Sequence, residues 1–259
     1  MCLDRIDGVR FIFVLGCPRS GVTLTGELIG ASPVVFNGGE SMVISYLGTW
    51  ERDLRRSNLS PISGKFVDTA RYTFRELILQ TLRETGKTVY SEHTPWYALW
   101  LDDIRKLFPG SSLVNVVRNP LDVADSLRRS FEGGFEWARQ NFEERIDLWR
   151  TMVEAVDKYR NDKEFCEIRY EDLMIDPVKQ TKALFCKLNL PWTDSVLSVF
   201  SKLHAGSTST RKPIATVDWR GNLEFAREPF RHAAFTAREV DYVRKVAQPL
   251  LRRFQYDLA

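Results

Sequence analysis

No run of 18 or more apolar residues occurs in the 259-residue chain, so nothing in it is built to span a bilayer. Charge of one sign is also scarce. Thirty-seven Lys and Arg face 34 Asp and Glu, a formal net charge of +3. That is too little and too evenly spread to hold nucleic acid or an anionic membrane, so any preference for anions must be local. Cys2, Cys17, Cys166 and Cys186 show neither C-x-x-C spacing nor the density of a disulfide framework. Met1-Cys-Leu-Asp-Arg carries no apolar leader ahead of the first strand. The expected compartment is a reducing cytoplasm, although a chain cut from a membrane anchor would read the same. The histidines, His93, His204 and His232, are scattered and no H-E-x-x-H occurs. No metal site is expected. Internal repeats and low-complexity segments are absent.

What remains is an ordinary globular composition, 44% hydrophobic and 27% charged. A chain of this length can bury one large core, and a single domain over residues 1–259 is expected. Short apolar runs at Phe11–Leu15, Thr88–Ser91, Ser112–Val117 and Phe165–Ile168 read as buried strands. Helical patterns at Leu24–Gly30, Phe66–Thr85, Trp96–Leu107, Pro120–Phe131 and Glu136–Tyr159 separate them. The alternation predicts a three-layer α/β fold, a central parallel sheet flanked by helices. Gly16, Glu92, Arg118 and Arg169 each lie just past a strand end, on the rim where such sheets bind ligands. Glu51–Lys65, polar with Pro61 and Gly64, reads as a surface excursion, and Gly206–Asn222 as a long loop of the kind that closes over sites. A last helix is expected over Thr236–Phe254.

The segment Phe11-Ile-Phe-Val-Leu-Gly-Cys-Pro-Arg-Ser-Gly-Val-Thr-Leu-Thr25 joins a buried strand, a tight turn and a helix start. The unpaired N–H groups and positive dipole end of such a helix form an anion site. From Gly16 to Thr23 the spelling is G-x-x-x-x-G-x-T, a phosphate loop whose usual lysine position holds Val22; the basic side chain is Arg19 instead. A second anchor is Val-Asn-Val-Val-Arg118-Asn-Pro-Leu-Asp-Val-Ala-Asp-Ser126. There a strand ends at Arg118, Asn119 suits an N-cap and Pro120 the first helical position. Ser126 falls two turns on, on the Asn119 face, so arginine and hydroxyl can grip one phosphate from two sides.

Gly-Cys-Pro-Arg-Ser-Gly-Val-Thr-Leu resembles the G-x-P-R-S-G-T-T-L loop of sulfotransferases that use 3′-phosphoadenosine 5′-phosphosulfate (PAPS). The second segment resembles their R-N-P-x-D-x-x-x-S element. The style of the motifs is closest to the protein-tyrosine, carbohydrate-type and bacterial members. The resemblance implies a P-loop-type nucleotide fold in which Arg19, Ser20, Gly21, Val22, Thr23 and Leu24 cradle the 5′-phosphosulfate. It implies that Arg118 and Ser126 hold the 3′-phosphate. Val22 departs from the usual threonine but keeps its backbone N–H. Arg169-Tyr-Glu-Asp-Leu-Met-Ile-Asp-Pro177 resembles the family's Y-E-D-L-x-x-x-P stretch, which implies Tyr170 near the adenosine; Asp176-Pro177 is equally a plain helix start. A basic and Trp-containing segment around Arg211 and Trp219 echoes one that closes over the cofactor.

The resemblance further implies PAPS as donor, adenosine 3′,5′-bisphosphate (PAP) as product and a hydroxyl acceptor, a sugar, phenol or small alcohol. Glu40, after the Gly-Gly turn in Phe36-Asn-Gly-Gly-Glu-Ser41, stands where the protein-tyrosine and heparan-type enzymes carry their catalytic glutamate; its dipole-favoured place in a helix first turn is the alternative. His93, in Ser91-Glu-His-Thr-Pro-Trp96, takes the place of a lysine that donates to the leaving group. It either does that job or is itself the base, with Glu40 orienting substrate; Glu92 orients its ring or is solvated. Phe36, Tyr46, Trp50, Trp96, Tyr97 and Trp100 flank these residues as acceptor-cleft or core side chains. A P-loop nucleotide kinase and a non-catalytic nucleotide-binding module are the alternatives. Val22 at the lysine position and Arg118 at the strand end weigh against the kinase.

Overall fold

Aromatic and β-branched residues concentrate in five short runs that pair, all parallel, into one sheet: β1 Arg10–Leu15, β2 Val35–Asn37, β3 Val89–Glu92, β4 Ser112–Val117 and β5 Phe165–Arg169, in the order β2-β3-β1-β4-β5. The computed structural model describes residues 8–56, 61–202, 215–217, 223–225 and 235–258. Its helices are α1 Val22–Gly30, α2 Val43–Arg56, α3 Pro61–Thr85, α4 Leu101–Leu107, α5 Pro120–Glu132, α6 Phe142–Asp157, α7 Tyr170–Ile175, α8 Pro177–Lys187, α9 Val199–Lys202 and α10 Ala237–Phe254.

Side chains alternate across β1 with the two-residue period of a strand. Phe13 and Leu15 join a core with Tyr97, Ile104, Trp149 and Phe254, drawn from the α3, α4, α5, α6 and α10 side. Ile12 and Val14 join a second core with Leu28, Leu173, Phe185 and Phe200, drawn from α1, α7, α8 and α9. Two cores, one on each face, make the three-layer α/β arrangement expected of an apolar parallel sheet.

The structure corrects several expected boundaries. The three-residue edge strand β2 follows the Ser32-Pro33 turn and is too short to carry a period. The expected excursion at Glu51–Lys65 is helical at both ends, with α2 running to Arg56 and α3 starting at Pro61. Its charges have a structural use, because Arg71 of α3 bonds Glu51 of α2 at 2.7 Å and Asp103 of α4 at 2.6 Å, tying three helices together. The expected Trp96–Leu107 helix is a 3₁₀ turn, Pro95–Leu99, broken from α4 by the non-helical backbone of Trp100. The Glu136–Tyr159 helix likewise begins as a 3₁₀ turn and restarts at Asn141, where Asn141 and Glu144 form a capping box. Most of the Gly206–Asn222 loop, with Arg211 and Trp219, lies outside the described residues; within it Ala215–Val217 pairs antiparallel with Leu223–Phe225.

Candidate active site

Gly16, Glu92, Arg118 and Arg169 do stand at the carboxyl ends of β1, β3, β4 and β5. The site is built on that rim. After β1 the chain turns through Arg19, whose φ of +72° is unusual for a side chain with a Cβ, and Gly21 at φ +101°. Strain of this kind persists only where the surroundings enforce it. Gly21 starts α1, and among the described residues no side chain caps that helix. Its first N–H groups, with the dipole behind them, are therefore left for an anion. Ser20 is buried, and its hydroxyl has no partner among the described residues. Thr23 faces outward, while Val22 and Leu24 sink into the core. At position 22 the valine side chain therefore packs into the core, and the loop is left its backbone N–H.

The two anchors meet. Arg19 Nε donates to Ser126 Oγ at 3.1 Å, and Arg118 Nη1 donates to the Arg19 carbonyl at 3.3 Å. Asn119 caps α5, accepting from Leu121 N at 2.9 Å, and its own N–H is held by the buried Glu171 carboxylate at 2.7 Å. The other Glu171 oxygen accepts from Tyr256 Oη at 3.0 Å, and Trp149 Nε1 donates to the Arg118 carbonyl at 2.9 Å. Burial raises the Glu171 pKa against the lowering pull of those hydrogen bonds. Tyr170 supports both anchors: the Arg118 guanidinium lies 4.5 Å over its ring, and a Cβ on Gly21 would strike that ring. A bisphosphorylated nucleoside fits this donor set, which combines an uncapped helix start, an unpartnered buried hydroxyl and two arginines.

Glu40 and His93 are neighbours across the sheet edge. The β2–β3 ladder continues beyond Asn37, with Gly38 N–H donating to Ser91 O at 2.7 Å and His93 N–H to Gly39 O at 2.9 Å. Glu40 therefore leaves the sheet beside His93. It is an exposed residue, yet enough protein surrounds its carboxyl that desolvation, and then the charge of Glu92, raise its pKa. His93 is buried, with Nε2 3.8 Å from Glu27 Oε1 and Nδ1 lacking a partner among the described residues. Desolvation lowers its pKa, and Glu27 opposes that shift. Glu92 is neither solvated nor a ring orienter. It is 0% exposed and accepts from Ser41, Tyr90 and Thr94.

The sequence reasoning missed Glu27, which Asn37 Nδ2 holds at 3.0 Å, and the part played by Ser41. The available signal was Gly26, a glycine inside a helix with no turn to make. Its missing Cβ is where the His93 ring packs. Among the aromatics, Tyr97 is fully buried and accepts from Ile44 N at 3.1 Å, Phe36 stacks on Tyr90, and Trp100 lies under Arg52. Tyr46 and Trp50 stay exposed. Among the described residues no cluster of three or more His, Cys, Asp or Glu stands together as metal ligands. None of the described helices is long and apolar enough to cross a membrane.

A profile described as "Sulfotransferase family" matches residues 12–194. Protein-tyrosine sulfotransferase A of Caenorhabditis elegans is 24% identical, over 95% of this chain and 67% of that protein. A putative protein-tyrosine sulfotransferase of Caenorhabditis briggsae is 33% identical over 46% of this chain and 42% of its own length. The chain thus spans from about four tenths to two thirds of these relatives. In structure it is similar to the sulfotransferase domain of the Synechococcus PCC 7002 olefin synthase, with a TM-score of 0.64, 20% identity and coverage of 100% of this chain and 99% of that one. It also resembles mouse sulfotransferase SULT7A1 complexed with PAP, with a TM-score of 0.56, 16% identity and coverage of 96% and 86%. These last two likenesses are ones of fold.

Proposed function

Because the chain belongs to the sulfotransferase family, we propose that it transfers the sulfuryl group of PAPS to a hydroxyl acceptor. The observation that carries this reading is the meeting of two anion grips, Arg19 on Ser126 and Arg118 on the Arg19 carbonyl. One grip serves each phosphate-bearing end of the nucleotide. The α1 N-terminus, with Arg19, Ser20, Gly21, Val22, Thr23 and Leu24, takes the 5′-phosphosulfate. Arg118 and Ser126 take the 3′-phosphate, and Tyr170 borders the nucleoside between them. The PAP-bound mouse relative supports the choice of nucleotide. Among sugar, phenol and alcohol acceptors, the relatives named for protein tyrosine weigh toward a phenol.

In this mechanism Glu40 removes the proton of the acceptor hydroxyl. The acceptor oxygen forms a bond to sulfur while the bond from sulfur to the 5′-phosphate oxygen breaks, and that electron pair departs with PAP. Desolvation, and then the charge of Glu92, raise the Glu40 pKa and make it a stronger base than an ordinary glutamate. His93 is the donor to the departing oxygen. Burial favours its uncharged form, and a neutral imidazole still carries one N–H.

The test is steady-state sulfuryl transfer with saturating PAPS between about pH 6 and pH 9. Glu40→Gln should keep PAP binding and lose ~10²–10⁴ in turnover, the usual contribution of a general base. His93→Lys should stay active near neutral pH, because an ammonium also donates N–H to the departing oxygen. An active Glu40→Gln enzyme, or a His93→Lys enzyme dead at neutral pH, would reverse the two roles. Failure of PAP to raise the melting temperature would remove the nucleotide altogether.

A further inference from the structure

The loop that carries Glu40 is anchored from beneath by a buried carboxylate. Glu92 Oε1 accepts from Ser41 N–H at 3.1 Å, Ser41 Oγ at 2.5 Å and Thr94 Oγ1 at 3.0 Å, and Oε2 accepts from Tyr90 Oη at 3.0 Å. Four donors on two oxygens is the pattern of an acceptor-only group. Ser41 Oγ also lies 3.2 Å from Tyr97 Oη, which holds Ile44 N–H at the start of α2. Immediately after Ser41 the chain passes through Met42 at φ +62°, a conformation that a non-glycine residue holds only under outside constraint.

We infer that Glu92 is a positioning residue for the base: from beneath the loop it holds the N–H and hydroxyl of Ser41 so that Glu40 meets the acceptor hydroxyl. This rests on the reading of Glu40 as the base. The titratable groups around the loop are Glu92 and Tyr90 of β3, His93 at its end, Tyr97 of the following turn, and Glu27 of α1 beyond the imidazole. Of these, the one whose charge acts on the Glu40 carboxyl is Glu92, second in effect to desolvation. Geometry and charge come from the same group and can be separated by substitution. In Glu92→Gln the amide oxygen can keep the three Oε1 contacts while Nε2 donates to Tyr90 Oη, so the shape stays and the charge goes. Ser41→Ala keeps the charge and removes one of the anchoring bonds.

Carboxyl ¹³C NMR titration of Glu40 reads its protonation without turnover, and transfer kinetics with PAPS read the rest. In Glu92→Gln the Glu40 midpoint should fall toward an ordinary carboxylate value, and the acid limb of kcat should move to lower pH with it. PAP affinity should stay within about twofold of wild type, because no phosphate contact has been touched. In Ser41→Ala the midpoint should hold while kcat drops roughly 10-fold to 100-fold at unchanged KM for PAPS, the cost of a displaced catalytic group. Wild-type turnover in Ser41→Ala overturns the inference, and an unmoved midpoint in Glu92→Gln overturns the part played by its charge. Should Glu92→Gln fail to fold, Ser41→Ala and Tyr90→Phe carry the test, and wild-type kcat in both overturns it. If Glu40→Gln retains turnover while the Glu40 midpoint still responds to Glu92→Gln, the base assignment has failed and the electrostatic coupling has not.

Discussion

Replacing Gly26 by alanine sets two rules of protein stability against each other. Gly26 lies inside α1, where alanine is the better helix former by about 0.8–1.0 kcal/mol, so propensity alone makes Gly26→Ala stabilising. Packing reverses the sign. A Cβ at position 26 would come closer than 3.0 Å to Cβ, Cγ and Nδ1 of His93. His93 has little freedom to retreat, being 4% exposed with its N–H bonded to Gly39 O. Overpacking of this sort costs ~1–3 kcal/mol, so the net change runs from near zero to a loss of about 2 kcal/mol once the helix gain is subtracted. At roughly 2–4 °C per kcal/mol for a chain of this size, the melting temperature should fall by up to about 8 °C. The ring that has to move belongs to a proposed catalytic residue, so turnover should drop further than stability. A double-mutant cycle isolates the contact: in a His93→Gly background, which removes Cβ as well as the ring, Gly26→Ala should recover its helix gain, with a coupling of ~1–3 kcal/mol. A Gly26→Ala protein more stable than wild type, with coupling under about 0.5 kcal/mol, would refute the packing argument.

Arg19→Ala and Arg118→Ala should each weaken PAP binding by ~1.5–3 kcal/mol, the worth of a charged hydrogen bond, while Ser126→Ala should cost about 0.5–1.5 kcal/mol. Calorimetry measures all three, and unchanged affinity in both arginine variants would remove the nucleotide from this rim. The raised pKa of Glu171 means that its contribution to stability is fully present below an ordinary glutamate value and is lost as pH rises through its folded value. Glu171→Gln should therefore flatten the fall of stability across that window in urea titrations, and an unchanged slope would contradict the burial argument. His93 acts with the opposite sign: its lowered pKa withdraws stability as pH falls below an ordinary histidine value of about 6.5, so His93→Gln should remove a slope there.

Much of this molecule was legible because its chemistry sits at punctuation points. Gly16, Arg118 and Arg169 each follow or end an apolar run, where a glycine or a charge breaks the pattern. Asn119-Pro120 announced the start of α5 through capping chemistry alone. What escaped was of two kinds. α2 escaped because its buried side is thin, with polar residues filling the rest and Glu51 serving an ion pair across helices rather than solvent. Glu27 and the contact between Ser41 and Glu92 escaped because the partners lie 10 to 66 positions apart, a separation that no local spacing encodes. The acceptor aromatics show the same limit. Tyr97 and Tyr46 are alike in sequence, yet the first is sealed beneath Ser41 and the second is 67% exposed.

The bond from Arg19 Nε to Ser126 Oγ ties the turn ahead of α1 to the middle of α5. On the proposed reading, phosphates at the 5′ and 3′ positions recruit groups already engaged with one another. The affinities of the two ends are then coupled through the bond that joins their groups. Because that bond uses only Arg19 Nε and a lone pair of Ser126 Oγ, the O–H of Ser126 is still a donor, and a phosphate at one end orients the group offered to the other. The sum of two such half-ligand free energies should consequently fall short of that of the intact bisphosphate. On that reading the protein would tell a bisphosphorylated donor from nucleotides that carry only one of the two phosphates by this non-additivity.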